Sequence, residues 1–167
     1  VMMAFRIAWF KVYHPLAFYA AYFYRRSQKG GFDAVLMTQG KEAIMANMDA
    51  ITSNENATDK DDDLLTTMEV VYEYYIRGFE FLPIDIYKSH ATKFLIQDGK
   101  LLPPFVSISG LGENAAWDLM NGREGKTFIS IEEVALACPK VSKTHIQMLK
   151  DAGAFGSLPD TSQISLF

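Results

Sequence analysis

This sequence predicts a mainly α-helical chain interrupted by one small β element. Three observations carry that prediction. Apolar residues recur at three- and four-residue spacing through most of the stretch from Val1 to Arg77. Strand-like alternation is confined to the region between Phe81 and Leu102. Two later stretches, around Gly110 and Ser142, set turn or capping residues directly before an amphipathic segment. The composition, 49% hydrophobic and 22% charged, supplies a core and argues against wholesale disorder. The single cysteine, Cys138, excludes an internal disulfide and a zinc site built on several thiolates, and reads as a small buried hydrophobe.

The elements follow in order. Val1–Tyr13 is apolar on most sides and reads as a buried helix. Val1 opens the chain inside that apolar stretch, so the sequence is expected to be a piece of a longer one. Arg6, Lys11, His14 and Pro15 interrupt the run before it reaches membrane-spanning length, and no small-residue cleavage site follows it. The expectation is a soluble, cytoplasmic protein that does not enter a membrane. His14-Pro15 breaks the first helix, because a residue before proline is pushed out of the helical region. Pro15 suits the first turn of a second, aromatic-rich helix, Leu16–Arg26, which Gln28-Lys29-Gly30-Gly31 ends. Asp33 caps a third helix running to about Ser53. Asn54–Asp63 is polar and acidic and reads as a solvated connection. A fourth helix, Leu64–Arg77, ends at Gly78 and pairs with the third in antiparallel fashion. Phe81–Tyr87, with Pro83 inside it, suggests an edge strand. Lys93–Gln97 and Lys100–Leu102 suggest a second pair of strands around the tight turn Asp98-Gly99. Pro103-Pro104 marks a boundary before a separate small helical unit. The expected divisions are residues 1–32, 33–104, 105–158, and a flexible tail at 159–167.

The most informative stretch runs from Ile108 to Met120. An apolar lead-in precedes Gly110-Leu111-Gly112 and then an amphipathic helix with Ala115 and Ala116 near its start. This is the pattern of a helix-hairpin-helix DNA-binding motif. The glycines permit a tight turn and close backbone approach. The amides of the turn and of the first helical residues lack internal partners, and with the helix dipole they form a site for a phosphate oxygen. Ser109, Gly110, Leu111, Gly112, Glu113 and Asn114 form the candidate hairpin site, with Leu111 facing the core, and Arg123 and Lys126 are candidate additional phosphate contacts. Such a grip reads no bases. The competing reading is a plain turn between two helices.

A second half follows with different chemistry. Ser130-Ile131-Glu132-Glu133 reads as an N-cap with its reciprocal acid three residues on, opening a helix that ends near Cys138-Pro139. Val141-Ser142-Lys143 then takes the hairpin's place, Ser142 caps a helix over Lys143–Ala152, and Gly153 ends it. The glycines are missing, so Lys140, Ser142 and Lys143 are the candidate DNA contacts, unless this half only packs against the first. The whole is a tandem helix-hairpin-helix unit.

The net charge is −4, so any DNA contact must be local and geometric. The chain ends Gln163-Ile164-Ser165-Leu166-Phe167. This resembles the bacterial sliding-clamp-binding motif, with Ile164 in place of its usual leucine. In that reading Leu166 and Phe167 anchor in a hydrophobic pocket of the β sliding clamp and Gln163 fixes register. The competing reading folds the last two residues back onto the domain.

The segment from Phe5 to Ala17 is similar to the last part of the fingers in bacterial C-family DNA polymerases. Gly78-Phe79-Glu80-Phe81, Leu102-Pro103-Pro104-Phe105, Val141-Ser142-Lys143 and the run from Gly153 to Pro159 add to the likeness. Together they resemble the C-terminal region of the PolC-type DNA polymerase III α subunit of Gram-positive bacteria, over nearly the whole chain. The resemblance implies that residues 1–32 end the fingers. It further implies primer-template duplex DNA, the sliding clamp and the rest of the polymerase chain as partners. The implied activity is nucleotidyl transfer in DNA replication, with palm aspartates and magnesium lying upstream. No catalytic or metal-binding residue and no cofactor is expected in this piece. Asp61, Asp62 and Asp63 read as a solvated charge run, and His14, His90 and His145 as structural or exposed. A non-enzymatic helix-hairpin-helix adaptor recruited to the clamp is the alternative.

Overall fold

A computed structural model describes residues 1–54 and 58–162. Helix α1 (Met2–Tyr13) meets α2 (Pro15–Ser27) at His14, which ends one helix and begins the next at φ −132° and ψ 57°, as Pro15 in the first turn of α2 requires. None of the residues of α1 is buried, contrary to the expectation of a buried helix. Its apolar positions lie on more than one side, and only α2 packs closely along it; Met2, Phe5, Trp9 and Tyr13 are left exposed.

The expected third helix is two. Asp33 accepts a hydrogen bond from the Val35 amide and caps α3 (Ala34–Met37), but Gly40 takes φ +103° and the chain restarts as α4 (Lys41–Thr52). The acidic run also belongs elsewhere. Thr58 and Asp61 form a reciprocal capping box, so Asp59–Asp63 makes the first turns of α5 (Asp59–Ile76) and is not a connection. Acids there suit the positive end of the helix dipole. Gly78, at φ +84°, follows the end of α5 as expected, and α4 and α5 pack against each other.

An aromatic cluster locks these helices together. Tyr19 and Phe23 of α2 meet Tyr74 of α5 and Phe32, Phe81 and Phe94 of the connecting segments, with ring centroids between 4.6 and 5.9 Å for the closest pairs. Edge-on and tilted geometries dominate, and each such pair stabilises by about 0.5–1.5 kcal/mol beyond burial. Beside the cluster, Glu73 accepts from Lys11 Nζ and from Tyr19 Oη, while Arg77 donates to Tyr19 Oη at 3.0 Å and to the Lys11 carbonyl at 3.2 Å. This network ties the end of α1 to the end of α5.

The β element is an antiparallel hairpin of β1 (Leu95–Gln97) and β2 (Lys100–Leu102), with Asp98 and Gly99 both at positive φ, as a two-residue hairpin turn demands. Phe81–Tyr87 does not become a strand. A single bridge joins Phe81 to Leu101; Pro83 removes a donor, and the Asp85 carboxylate turns the chain by accepting from the Tyr87 and Lys88 amides. A 3-10 turn (Phe105–Ser107) leads to α6 (Glu113–Gly122), α7 (Ile131–Ala137) and α8 (Lys143–Asp151). One connected core runs from Tyr19 to Phe155. Pro159 and Asp160, expected within a flexible tail, are instead docked on α7 and α8. Their carbonyls accept from the Ile131 and Glu132 amides, and Asp160 pairs with Lys150 at 2.5 Å.

Candidate nucleic-acid interface

The first hairpin closes when the Leu111 amide donates to the Ile108 carbonyl at 3.0 Å. Gly110 sits in that turn at φ +90°, where a side chain is strained. Gly112, at φ −68° and ψ 160°, is the N-cap of α6 and offers no side-chain acceptor. Leu111 points into the core, and Ala115 and Ala116 are buried at the helix contact, as their small size allows. Ser109, Gly110, Gly112, Glu113 and Asn114 are exposed. The amides of Gly110, Gly112, Glu113, Asn114 and Ala115 donate to no protein acceptor among the described residues. They gather at the positive end of α6, a ready arrangement for an anionic oxygen.

The second hairpin repeats the first thirty positions on. Val141 donates to Cys138 at 3.0 Å as Leu111 does to Ile108, and Ser142, at φ −72° and ψ 165°, is the N-cap of α8. Ile108 and Cys138 are buried counterparts, as are Leu111 and Val141, and Leu119 and Leu149. The two halves also clasp each other reciprocally. Met148 of α8 lies against Gly110, where an added Cβ would be 2.8 Å from its Cε. At the mirrored contact, Asp118 of α6 accepts from the Lys140 amide at 2.8 Å. Ser142 and His145 form a capping box that uses both their amides. Lys140 and Lys143 keep exposed side chains.

The other candidate contacts separate. Lys126 is exposed in the α6–α7 turn. Arg123 faces inward: its guanidinium donates to the Ile86 carbonyl at 2.6 Å and lies over the Phe105 ring, and burial lowers its pKa. It therefore anchors the preceding loop to the hairpin, and a phosphate contact would cost that anchor. Ser130 caps α7 as expected, but Glu133 returns its bond to the Ile129 amide, not to Ser130. Cys138 is buried, and burial, with Asp118 nearby, pushes its thiol up to about 11. His90 Nδ1 accepts from the Thr92 and Lys93 amides. Residues 163–167, the clamp-type peptide, lie outside the described residues.

His145, expected to be structural or exposed, is the partner in the Ser142 capping box, while Asp118, Met148 and Gly122 carry no local signal in the sequence. The thirty-residue register makes Asp118 and Met148 counterparts, each set against the other half's hairpin. Among the described residues no cluster of three or more His, Cys, Asp or Glu could hold a metal ion, and no helix is long and apolar enough to cross a membrane.

Comparison with known proteins agrees with this geometry. A family profile described as the helix-hairpin-helix motif matches residues 78–164. Along its whole length the chain is similar to proteins named DNA polymerase III PolC-type. Identity is 47% with that of Caldanaerobacter subterraneus, 45% with that of Thermotoga petrophila and 45% with that of Listeria innocua. The chain spans only 11–12% of the length of these relatives.

Proposed function

The chain belongs to the helix-hairpin-helix family, and from that premise we propose that it is a duplex-DNA grip within a PolC-type replicative polymerase. The observation that carries this reading is the first hairpin's set of unpartnered amides at a glycine N-cap. Backbone donors of this kind hold a phosphate oxygen whatever the base sequence, as an enzyme moving along its template requires. The nucleotidyl transfer and its magnesium are assigned to other parts of the longer chain. The likeness to PolC-type relatives across the whole chain favours this over a free-standing adaptor.

Gly112→Asp tests the grip directly. Its Cβ has open space and its φ is ordinary, so an aspartate there can cap α6 and hold or raise stability. The same carboxylate occupies the amides and repels phosphate. Binding to a labelled primer-template duplex is expected to weaken about tenfold or more. Unchanged binding in a folded variant would overturn the reading.

Gln163-Ile164-Ser165-Leu166-Phe167 is proposed to tether the chain to the β sliding clamp. A modest peptide contact joined to a modest DNA contact gains affinity through effective concentration. Leu166→Ala with Phe167→Ala is expected to abolish binding to the isolated clamp and leave duplex binding intact. Retained clamp binding would sink the tether.

A further inference from the structure

The two hairpins share a backbone and differ in what fills it. Three amides of the second are already used: Lys140 donates to Asp118, Ser142 to the His145 ring, and His145 to Ser142 Oγ. Their counterparts in the first, Gly110, Gly112 and Ala115, donate to nothing in the protein among the described residues. The acceptors explain the difference. Where the second half has Asp118, Ser142 and His145, the first has Met148, Gly112 and Ala115 at the matching positions, and none of these side chains carries an acceptor oxygen or ring nitrogen.

Positive side chains run the other way. Lys140 and Lys143 stand where the first hairpin has Gly110 and Glu113. One half thus offers five bare amides beside an acid; the other offers ammonium groups above a turn in which only the Lys143 and Thr144 amides lack a protein acceptor among the described residues. A phosphate docking on the second turn would have to displace the Asp118 carboxylate, its equal in charge and in hydrogen-bonding chemistry.

We infer that the second hairpin carries its own anion. Asp118 and the Ser142–His145 box stand in the phosphate's place, and this half holds DNA through the Lys140 and Lys143 side chains alone. The inference rests on the duplex-gripping reading and divides its labour. Hairpin one supplies geometry through backbone donors; hairpin two supplies charge on flexible stems.

Proline at the first helical position separates the two chemistries, because it deletes one amide while keeping the helix start, and both preceding residues already have the extended backbone that proline needs. In duplex titrations over a salt series, Glu113→Pro is expected to bind about tenfold more weakly than Glu113→Ala. Lys143→Pro and Lys143→Ala are expected to bind alike. Lys140→Ala and Lys143→Ala should each reduce the salt slope by about one. Asp118→Ala, which frees the Lys140 amide, should bind more tightly than Asp118→Asn, which loses the charge but keeps an acceptor. A proline-to-alanine gap in the second hairpin as large as that in the first overturns the inference, as does an Asp118→Ala variant, folded by circular dichroism, that binds no tighter than Asp118→Asn. If Asp118→Ala does not fold, the two proline-alanine pairs decide alone. No gap in either pair, with salt-independent or absent binding, overturns the duplex-gripping reading and this inference with it.

Discussion

Gly122 shows how closely the two halves fit at the level of one atom. An added Cβ would lie 2.5 Å from Cys138 Sγ and 3.0 Å from the Ala137 carbonyl oxygen. In an open helix, glycine to alanine gains about 1 kcal/mol from propensity. Here the methyl group must force α6 and α7 apart, and overpacking of this kind costs about 1–3 kcal/mol. Gly122→Ala is therefore expected to destabilise the protein, read as a lower urea midpoint at unchanged m-value. A raised midpoint would mean that the contact yields easily. Residues whose job is local were legible in the sequence. Gly110 and Leu111 announce a turn and its core anchor, and Ser142 announces a cap. Gly122 and Asp118 act through partners at positions 138 and 140, and without a register between the halves nothing local marks them.

At the scale of elements, capping decided both what was read correctly and what was not. Asp33, Ser130 and Ser142 all accept from amides where the sequence placed them. The acids after Thr58 resemble a solvated connection in sequence; the box that Thr58 makes with Asp61 turns them into a helix start. Apolar spacing continues across Gly40 and says nothing about φ, so the break between α3 and α4 is not legible there. The edge strand is cut short for a related reason: alternation from Phe81 matches a strand, but pairing stops at the single bridge to Leu101 because Pro83 and the Asp85 turn redirect the backbone. The short α7 depends on its cap more than longer helices do. Ser130 is fully buried, so Ser130→Ala is expected to cost about 1 kcal/mol and to loosen the Pro159–Asp160 docking, whose carbonyls bind the next two amides. Hydrogen exchange at Ile131 and Glu132 checks it: faster exchange is expected in the variant, and unchanged protection would show that the tail docks independently of the cap.

Across the whole molecule, the network joining α1, α2 and α5 is one source of the response of folding to pH. Burial would raise the Glu73 carboxyl, but hydrogen bonds from Lys11 and Tyr19 and the charges of Lys11 and Arg77 outweigh it and hold the group below its ordinary value. A depressed carboxyl contributes stability above its unfolded pKa, about 4.3, and loses that contribution as pH falls through the folded value. Tyr19 has the opposite sense. Burial, with the Glu73 hydrogen bond, pushes it up to about 12, and burial also takes Tyr75 to about 12. Their contribution is complete below the unfolded value of about 10 and is lost as pH rises through about 12. Stability measured by urea titration should therefore hold level between about pH 5 and pH 10 as far as these groups are concerned, and fall on both sides. Glu73→Gln is expected to lower stability at neutral pH, because Lys11 and Arg77 lose their shared counter-charge, and to flatten the acid limb. Tyr19→Phe should soften the alkaline limb without removing it, since Tyr75 still titrates there. An acid limb equally steep with and without the Glu73 carboxylate would place the pH sensitivity elsewhere and leave the Arg77 bond to the Lys11 carbonyl as the tie between α1 and α5.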